Sequence, residues 1–86
     1  MQGYISNIKI NENKVIMSLE DVKMKEQDAK AFGRTLSEND LVEILIIDYN
    51  SSGPFIEVGD KVAVSCGYTK DKKVLYSFGA DIGLRN

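Results

Sequence analysis

The residues best suited to hold a ligand surround one predicted turn in the second half of the sequence. Lys70, Lys72 and Lys73 lie between Tyr68 and Tyr76. Lysine ammonium groups attract backbone phosphates and nucleic-acid bases stack on tyrosine rings, a combination that holds single strands without reading their sequence. These five residues therefore form a candidate contact site for single-stranded nucleic acid.

The same two tyrosines also fit a simpler interpretation, in which they belong to a hydrophobic core. In an extended chain Tyr68 shares a face with Val64 and Cys66, and Tyr76 shares one with Phe78. The lysines would then only contact water at a turn, and three phosphate contacts would give a salt slope of only about −2, which indicates weak binding. The alternation favours the core interpretation, so nucleic-acid binding is the second of two hypotheses.

The composition excludes most catalytic arrangements, because the chain has no histidine and only one cysteine, Cys66. Without histidine there is no Ser-His-Asp or Cys-His arrangement and no H-E-x-x-H zinc motif. A lone cysteine cannot close a disulfide within the chain. Cys66 also continues the face of Val62 and Val64, where a thiol behaves as a small apolar side chain. The sequence therefore predicts no enzyme activity and no cofactor.

Acidic side chains gather in two stretches, which raises the question of a metal site or of acid–base catalysis. The first holds Glu38, Asp40 and Glu43, and the second holds Glu57 and Asp60. Hard cations need several oxygens converging on one point, and neither stretch has the spacing of a calcium-binding loop. We expect these carboxylates to face water or to cap turns, and we predict no metal site.

The net charge of −2 argues against a broad surface for nucleic acid or anionic lipid, since both require a basic face. No stretch approaches the roughly 20 apolar residues that cross a bilayer, and the start of the chain has no apolar run typical of a signal peptide. We therefore expect a soluble protein of a reducing compartment, the cytoplasm, without a membrane partner.

Alternating apolar residues predict two β-hairpins. The first joins a strand at Gly3–Ile10 to one that opens at Lys14, through the turn Asn11–Asn13. The second joins a long strand, Lys61–Tyr68, to Val74–Phe78 through the lysine-rich turn. Both hairpins follow from local pattern alone.

A further strand, Leu41–Tyr49, is centred on the unbroken apolar run Ile44–Ile47. A strand sends alternate side chains to opposite faces, so this one requires cover on both sides. Its β-branched content and short length favour a strand over a helix. In so small a protein the second cover has to be a short helix, the chain ends or another subunit. The stretch Asn50–Pro54 that follows is expected to be a loop.

One short helix is predicted between the hairpins. After Asp21 the alternation slips by one residue, which either a β-bulge in a long bent strand or the start of a helix would explain. Met24–Phe32 is rich in good helix formers, and Gly33 stands where glycine commonly follows a helix. The tail Ala80–Asn86 keeps only a faint alternation. No linker or repeat divides the sequence, so residues 1–86 are expected to form one domain.

Five strands, two hairpins and one short helix predict a mainly β fold, either a small antiparallel five-stranded barrel or a strongly bent sheet. The stretch Val58–Val62 (Val-Gly-Asp-Lys-Val) resembles the turn that leads into a strand in many oligonucleotide-binding (OB) and SH3-like barrels. The resemblance covers that stretch alone and implies an architecture, which carries no function with it.

The leading functional hypothesis is a non-enzymatic interaction or assembly module within a larger protein complex, such as a bacterial or viral one. Its partner is expected to be another protein or a second copy of the chain, so that a homo-oligomer is predicted. The apolar strand and the tail supply the candidate interface, namely Val42, Ile44, Ile46, Ile82 and Leu84. The competing interpretation is that these residues close the protein's own core.

Overall fold

Seven β-strands and two short helical turns make up the part of the chain that the computed structural model describes, residues 1–12, 14–26, 41–69, 71 and 74–85. The strands are β1 (Gln2–Asn11), β2 (Lys14–Lys23), β3 (Val42–Ile47), β4 (Lys61–Val64), β5 (Gly67–Thr69), β6 (Val74–Phe78) and β7 (Ile82–Arg85). A single turn of α-helix, Tyr49–Ser52, follows β3, and a 3₁₀ turn, Gly79–Asp81, separates β6 from β7. The fold is mainly β, as predicted.

Both predicted hairpins are confirmed. β1 and β2 pair antiparallel with Ile8 opposite Met17 and Ile10 opposite Val15, and Glu12 in their turn takes a left-handed φ of 55°. β5 and β6 also pair antiparallel, with Tyr68 opposite Leu75. Alternation and turn chemistry were sufficient here because each hairpin joins strands that are neighbours in sequence.

The slip in alternation after Asp21 is a β-bulge. Gln2 lies opposite Lys23 and Tyr4 lies opposite Glu20, so β2 carries one more residue than β1 over this stretch. Asp21 has a φ of 50°, in the left-handed region that bulged residues often adopt. The strand therefore continues to Lys23, and of the predicted helix Met24–Phe32 only the first three residues lie within the described chain.

The order of the strands, β5-β6-β3-β2-β1-β4-β7, requires the sheet to curl. In a flat sheet β5 and β4 would lie five strand spacings apart, about 24 Å. Only Ser65 and Cys66 separate β4 from β5 along the chain, and the step from Val64 to Gly67 spans at most about 11 Å. The sheet therefore bends into a curled half-barrel, in which β3 and β6 are the one parallel pair among the described strands.

Hydrogen bonds on both sides hold the chain at the bend between β4 and β5. At the β1 side Met1 and Val64 exchange two bonds, from the Val64 N–H to the Met1 carbonyl at 2.8 Å and from the Met1 amino group to the Val64 carbonyl at 3.1 Å. At the β6 side the buried Ser77 hydroxyl donates to the Ser65 carbonyl at 2.6 Å. The bend is thus fixed where β4 becomes β5.

The core lies on the concave face of the sheet. On β3 the residues Val42, Ile44 and Ile46 are almost completely buried, while Glu43 is exposed and Leu45 is half-buried. The other buried apolar residues of the described ranges are Ile5, Val15, Met17, Leu19, Ile56, Val62, Val64, Leu75 and Ile82. One face of the apolar strand is therefore covered by the protein's own sheet.

Three sequence-based expectations need correction. The described residues form seven strands where five were predicted, because the long strand Lys61–Tyr68 divides at Ser65 and the tail adds β7. The stretch Asn50–Pro54, expected to be a loop, begins inside the helical turn Tyr49–Ser52. In β6 the buried residues are Leu75 and Ser77, so the face shared by Tyr76 and Phe78 points outward and not into the core.

Within the described part of the chain, no helix is long and apolar enough to pass through a lipid bilayer.

Two adjacent residues of β3 test the assignment of faces. Replacement of the buried Ile46 by Ala should lower the free energy of unfolding by about 2–5 kcal/mol, because it leaves a cavity in the core. Ile47→Ala removes the same atoms from the half-buried outer side and should cost less than half as much. Urea denaturation measures both values, and equal losses would contradict the described register.

Candidate functional site

The convex side of the sheet carries a continuous apolar surface across β2, β3 and β6. Residues directly opposite one another in paired strands point to the same side of a sheet. Ile16 of β2 lies opposite Leu45 of β3, which lies opposite Tyr76 of β6. The neighbouring row places Ile47 opposite Phe78. We call these five residues the outer face.

Polar side chains border the outer face on its β1 and β2 side. Lys9 lies opposite Ile16 and extends the first row, and Lys14 lies opposite Ile47 and extends the second. Glu43, next along β3, is also exposed. The surface therefore has an apolar and aromatic centre with charged residues at its margin, two of them basic.

Tyr76 lies flat across β5 because its cross-strand neighbour is a glycine. Gly67 stands directly opposite Tyr76, and a methyl group added at Gly67 would lie 2.5 Å from the ring carbon Cζ. The ring thus occupies the space that a side chain at position 67 would fill. One side of the ring therefore covers the strand, and Tyr76 as a whole is half-buried.

The structure separates the two tyrosines of the predicted nucleic-acid site. Tyr68 lies opposite the buried Leu75 and packs against the core, whereas Tyr76 belongs to the outer face. A single strand lying on one side of the sheet therefore cannot stack on both rings. The remaining members of that site, Lys70, Lys72 and Lys73, lie outside the described residues.

Four of the five residues predicted as a protein interface belong to the core. Val42, Ile44, Ile46 and Ile82 are at most 6% exposed, so this protein's own sheet covers them and a partner has no access to them. Leu84 is 44% exposed and stays available. On the other side of the same strand Leu45 and Ile47 are half-buried.

The carboxylates and the cysteine have structural surroundings. Asp60 accepts a hydrogen bond through Oδ2 from the Glu57 backbone N–H at 2.8 Å, which closes a turn. Glu43 is exposed, and Glu38 and Asp40 lie outside the described residues. Cys66 is partly buried against the core. Among the residues that the structure describes, no three His, Cys, Asp or Glu side chains gather at one point as a metal would require.

Sequence reasoning missed the outer face although its strand was recognised. The run Ile44–Ile47 indicated apolar residues on both sides of β3, but only the pairing with β2 and β6 identifies Ile16, Tyr76 and Phe78 as neighbours of Leu45. A signal was present in the pattern Val15–Leu19, where Ile16 is the apolar residue on the side opposite to the alternating set.

Comparison with known protein families, with curated proteins and with solved structures finds no match for this chain. The inference of function therefore rests on the geometry of the chain itself.

A double-mutant cycle tests the contact between Tyr76 and Gly67. Gly67→Ala should lower the free energy of unfolding by about 1 kcal/mol, because the methyl group displaces the ring. In a Tyr76→Ala background the same change should be neutral or stabilising by about 0.4–1 kcal/mol, since alanine restricts the unfolded chain more than glycine does.

Thermal or urea unfolding of the four proteins gives the coupling energy between the two positions. If Gly67→Ala has the same cost with and without the Tyr76 ring, the ring does not lie across β5 in solution.

Proposed function

We propose that the protein is a non-enzymatic interaction module that docks through its outer face onto another protein, as a component of a larger complex such as a bacterial or viral one. The observation that carries the proposal is the cross-strand row Ile16, Leu45 and Tyr76, which presents apolar and aromatic side chains on the side of the sheet away from the core. A contiguous patch of this kind on a small protein is typical of an interaction site.

The composition of the outer face favours a protein partner. Interfaces between proteins are enriched in aromatic residues at their centre and keep charged residues at the rim. Tyr76 and Phe78 supply the aromatic groups, and Phe78 is 47% exposed. Lys9 and Lys14 lie at the margin. The complementary surface is therefore an apolar one with charged groups at its rim, among them carboxylates opposite Lys9 and Lys14.

A sheet surface suits this role because its rows are rigid. Leu45 is held between β2 and β6 by backbone pairing on both sides, so it loses little freedom when a partner covers it. Low ordering cost is one of the main determinants of affinity for a given area. The half-buried Leu45 and Ile47 are thus expected to act as anchors.

The proposal is tested by purification of the tagged protein from its own host. A partner should copurify in fixed stoichiometry with the wild type, and the variant Leu45→Lys/Phe78→Lys should lose it, because a lysine at the centre of an interface is desolvated without a counter-charge. Reconstitution from the purified components should then give at least a tenfold weaker complex for the variant.

Val58→Lys is the matched control, since Val58 is 62% exposed but lies in the turn whose Gly59 N–H donates to Ile5 of β1, away from the outer face. It should bind as the wild type does. Equal loss for both variants, or the absence of any stoichiometric partner, would refute docking through the outer face.

A second candidate function is single-stranded nucleic-acid binding by an OB-like barrel. For this comparison β1, β2 and β3 are the first three strands, β4 and β5 together are the fourth, and β6 is the fifth. Neighbouring strands then follow the order first, second, third, fifth, fourth and back to the first. Of these pairs, only the third and fifth strands are parallel. OB folds are five-stranded Greek-key barrels that bind ligands on the face of the second and third strands. Here that face contains Ile16 and Leu45, with Tyr76 beside them.

Fluorescence anisotropy with labelled single strands at low salt tests this alternative. Stacking on one ring is worth about 1–3 kcal/mol, so Tyr76→Ala should weaken binding by about fivefold or more, while Tyr76→Phe should keep it. Lys72→Ala/Lys73→Ala should reduce the salt slope by about 1.4. Unmeasurable affinity, or an affinity that neither set of changes affects, excludes the alternative.

A further inference from the structure

β7 lies at an end of the described sheet, and the backbone groups that it directs away from the sheet can be identified. Ser65 donates to the Asp81 carbonyl at 3.4 Å, which makes these two residues a hydrogen-bonded pair of the antiparallel ladder. Such pairs recur at every second residue. The N–H and C=O groups of Gly83 and Arg85 therefore face β4, and those of Ile82 and Leu84 face away from the sheet.

The other side of β4 gives the same result independently. Val64 exchanges its backbone hydrogen bonds with Met1 of the strand that leads into β1, so its N–H and C=O do not point towards β7. Its partner in the ladder is Ile82. The pair Val64 and Ile82 is thus a non-hydrogen-bonded one, and the outward direction of the Ile82 groups follows.

We propose that two copies of this chain pair antiparallel through β7, about a two-fold axis at Gly83. In this register Ile82 of each copy lies opposite Leu84 of the other. Because both residues direct their backbone groups outward, each such pair forms two hydrogen bonds, and the dimer gains four. The two curled sheets become continuous through their edges, a self-complementary contact of the kind that two-fold symmetry requires.

The charges of β7 match this register. Asp81 of each copy lies opposite Arg85 of the other, and both side chains are exposed. Within one copy Arg85 lies opposite Lys61, a pair of like charges that destabilises a sheet. In the dimer Lys61, Arg85 and Asp81 of the second copy lie side by side in one row. The carboxylate of each copy therefore offsets the repulsion between the two basic side chains of the other.

Gly83 permits the close approach at the axis. The two Gly83 residues face each other in a non-hydrogen-bonded position, where Cα atoms come within about 4.5 Å. A groove of about 350 Å³, lined in part by Ala63, Asp81 and Gly83, gives the incoming Arg85 side chain room to reach Asp81.

Arg85 covers this edge in the isolated chain. Its Nη1 donates to the Leu84 carbonyl at 3.3 Å and lies 3.1 Å from the position of a Cβ on Gly83. On pairing, the Ile82 N–H of the second copy takes over the Leu84 carbonyl, and the guanidinium moves to Asp81. The exposed Leu84 side chain lies on the side of the sheet opposite to these charges, next to the second copy.

This contact uses the β7 edge and not the outer face, so it stands or falls independently of the proposed docking function. Sedimentation equilibrium from micromolar to near-millimolar concentration should detect a reversible dimer of the wild type. Leu84→Pro removes one outward N–H per copy without touching the bonds to β4, and should make the protein monomeric. Leu84→Ala, which keeps that N–H, should still dimerise.

A charge exchange tests the register itself. Asp81→Arg and Arg85→Asp each place like charges opposite one another twice, and each should weaken the dimer about tenfold or more. The double variant should recover wild-type affinity. A mixture of the two single variants should also form a heterodimer, because each pair across the axis then joins one acidic and one basic side chain.

A wild type that is monomeric throughout the range, or a dimer that withstands Leu84→Pro, overturns the proposal. So does a mixture of single variants that associates no better than either alone. If Leu84→Pro fails to fold by circular dichroism, the charge exchange still decides the question, since both of its positions are exposed.

Discussion

The two-residue link between β4 and β5 is the constraint on which the rest of the structure depends. Ser65 and Cys66 cannot bridge the width of a flat sheet, so the strands on either side of them must approach each other. The curl that results defines a concave side, and the core residues Ile44, Ile46 and Val62 fill it. The Ser77 hydroxyl then satisfies the Ser65 carbonyl at the bend, where regular pairing is interrupted.

The curl also determines which apolar residues lie outside the core. A small sheet has only one concave side, so a strand that is apolar on both sides, as β3 is, must present half of its apolar residues on the convex side. The helical turn and the 3₁₀ turn pack on each other through Gly79, which lies against Tyr49 and Gly53, and so close the end of the sheet at Phe78. The outer face and the β7 edge both follow from the order of the described strands.

Much of this architecture was accessible from the sequence, and the part that was not has a physical reason. The hairpins and the bulge at Asp21 are local features, encoded by alternation and its interruption. Alternation assigns the residues of a strand to two faces but does not indicate which face is buried. In β6 the small Ser77 lies on the buried face, while Tyr76 lies on the other face. Tyr76 is outside because the glycine opposite it gives its ring a place on the convex side.

The same limit applies to the candidate sites. Val42, Ile44 and Ile46 were correctly recognised as one face of an apolar strand, yet the choice between core and interface depends on the parallel pairing of β3 with β6, which involves residues about thirty positions apart. Ile82 likewise lies in the core because β7 pairs with β4, which places it opposite Val64. Pairings between residues so far apart in the sequence cannot be predicted from the local alternation of apolar residues.

The parallel pair of β3 and β6 also has a consequence for folding. β1 and β2 form a local hairpin, whereas β3 pairs with β2, and β6 with β3, only after the chain has closed a long loop in each case, and the second edge of β3 stays uncovered until β6 pairs with it. Until then the edge of β3, with its run Ile44–Ile47, is open to other chains in the same state, and exposed apolar edges of this kind lead to aggregation. Association through this edge competes with the pairing of β6, so the yield on refolding is expected to depend on protein concentration.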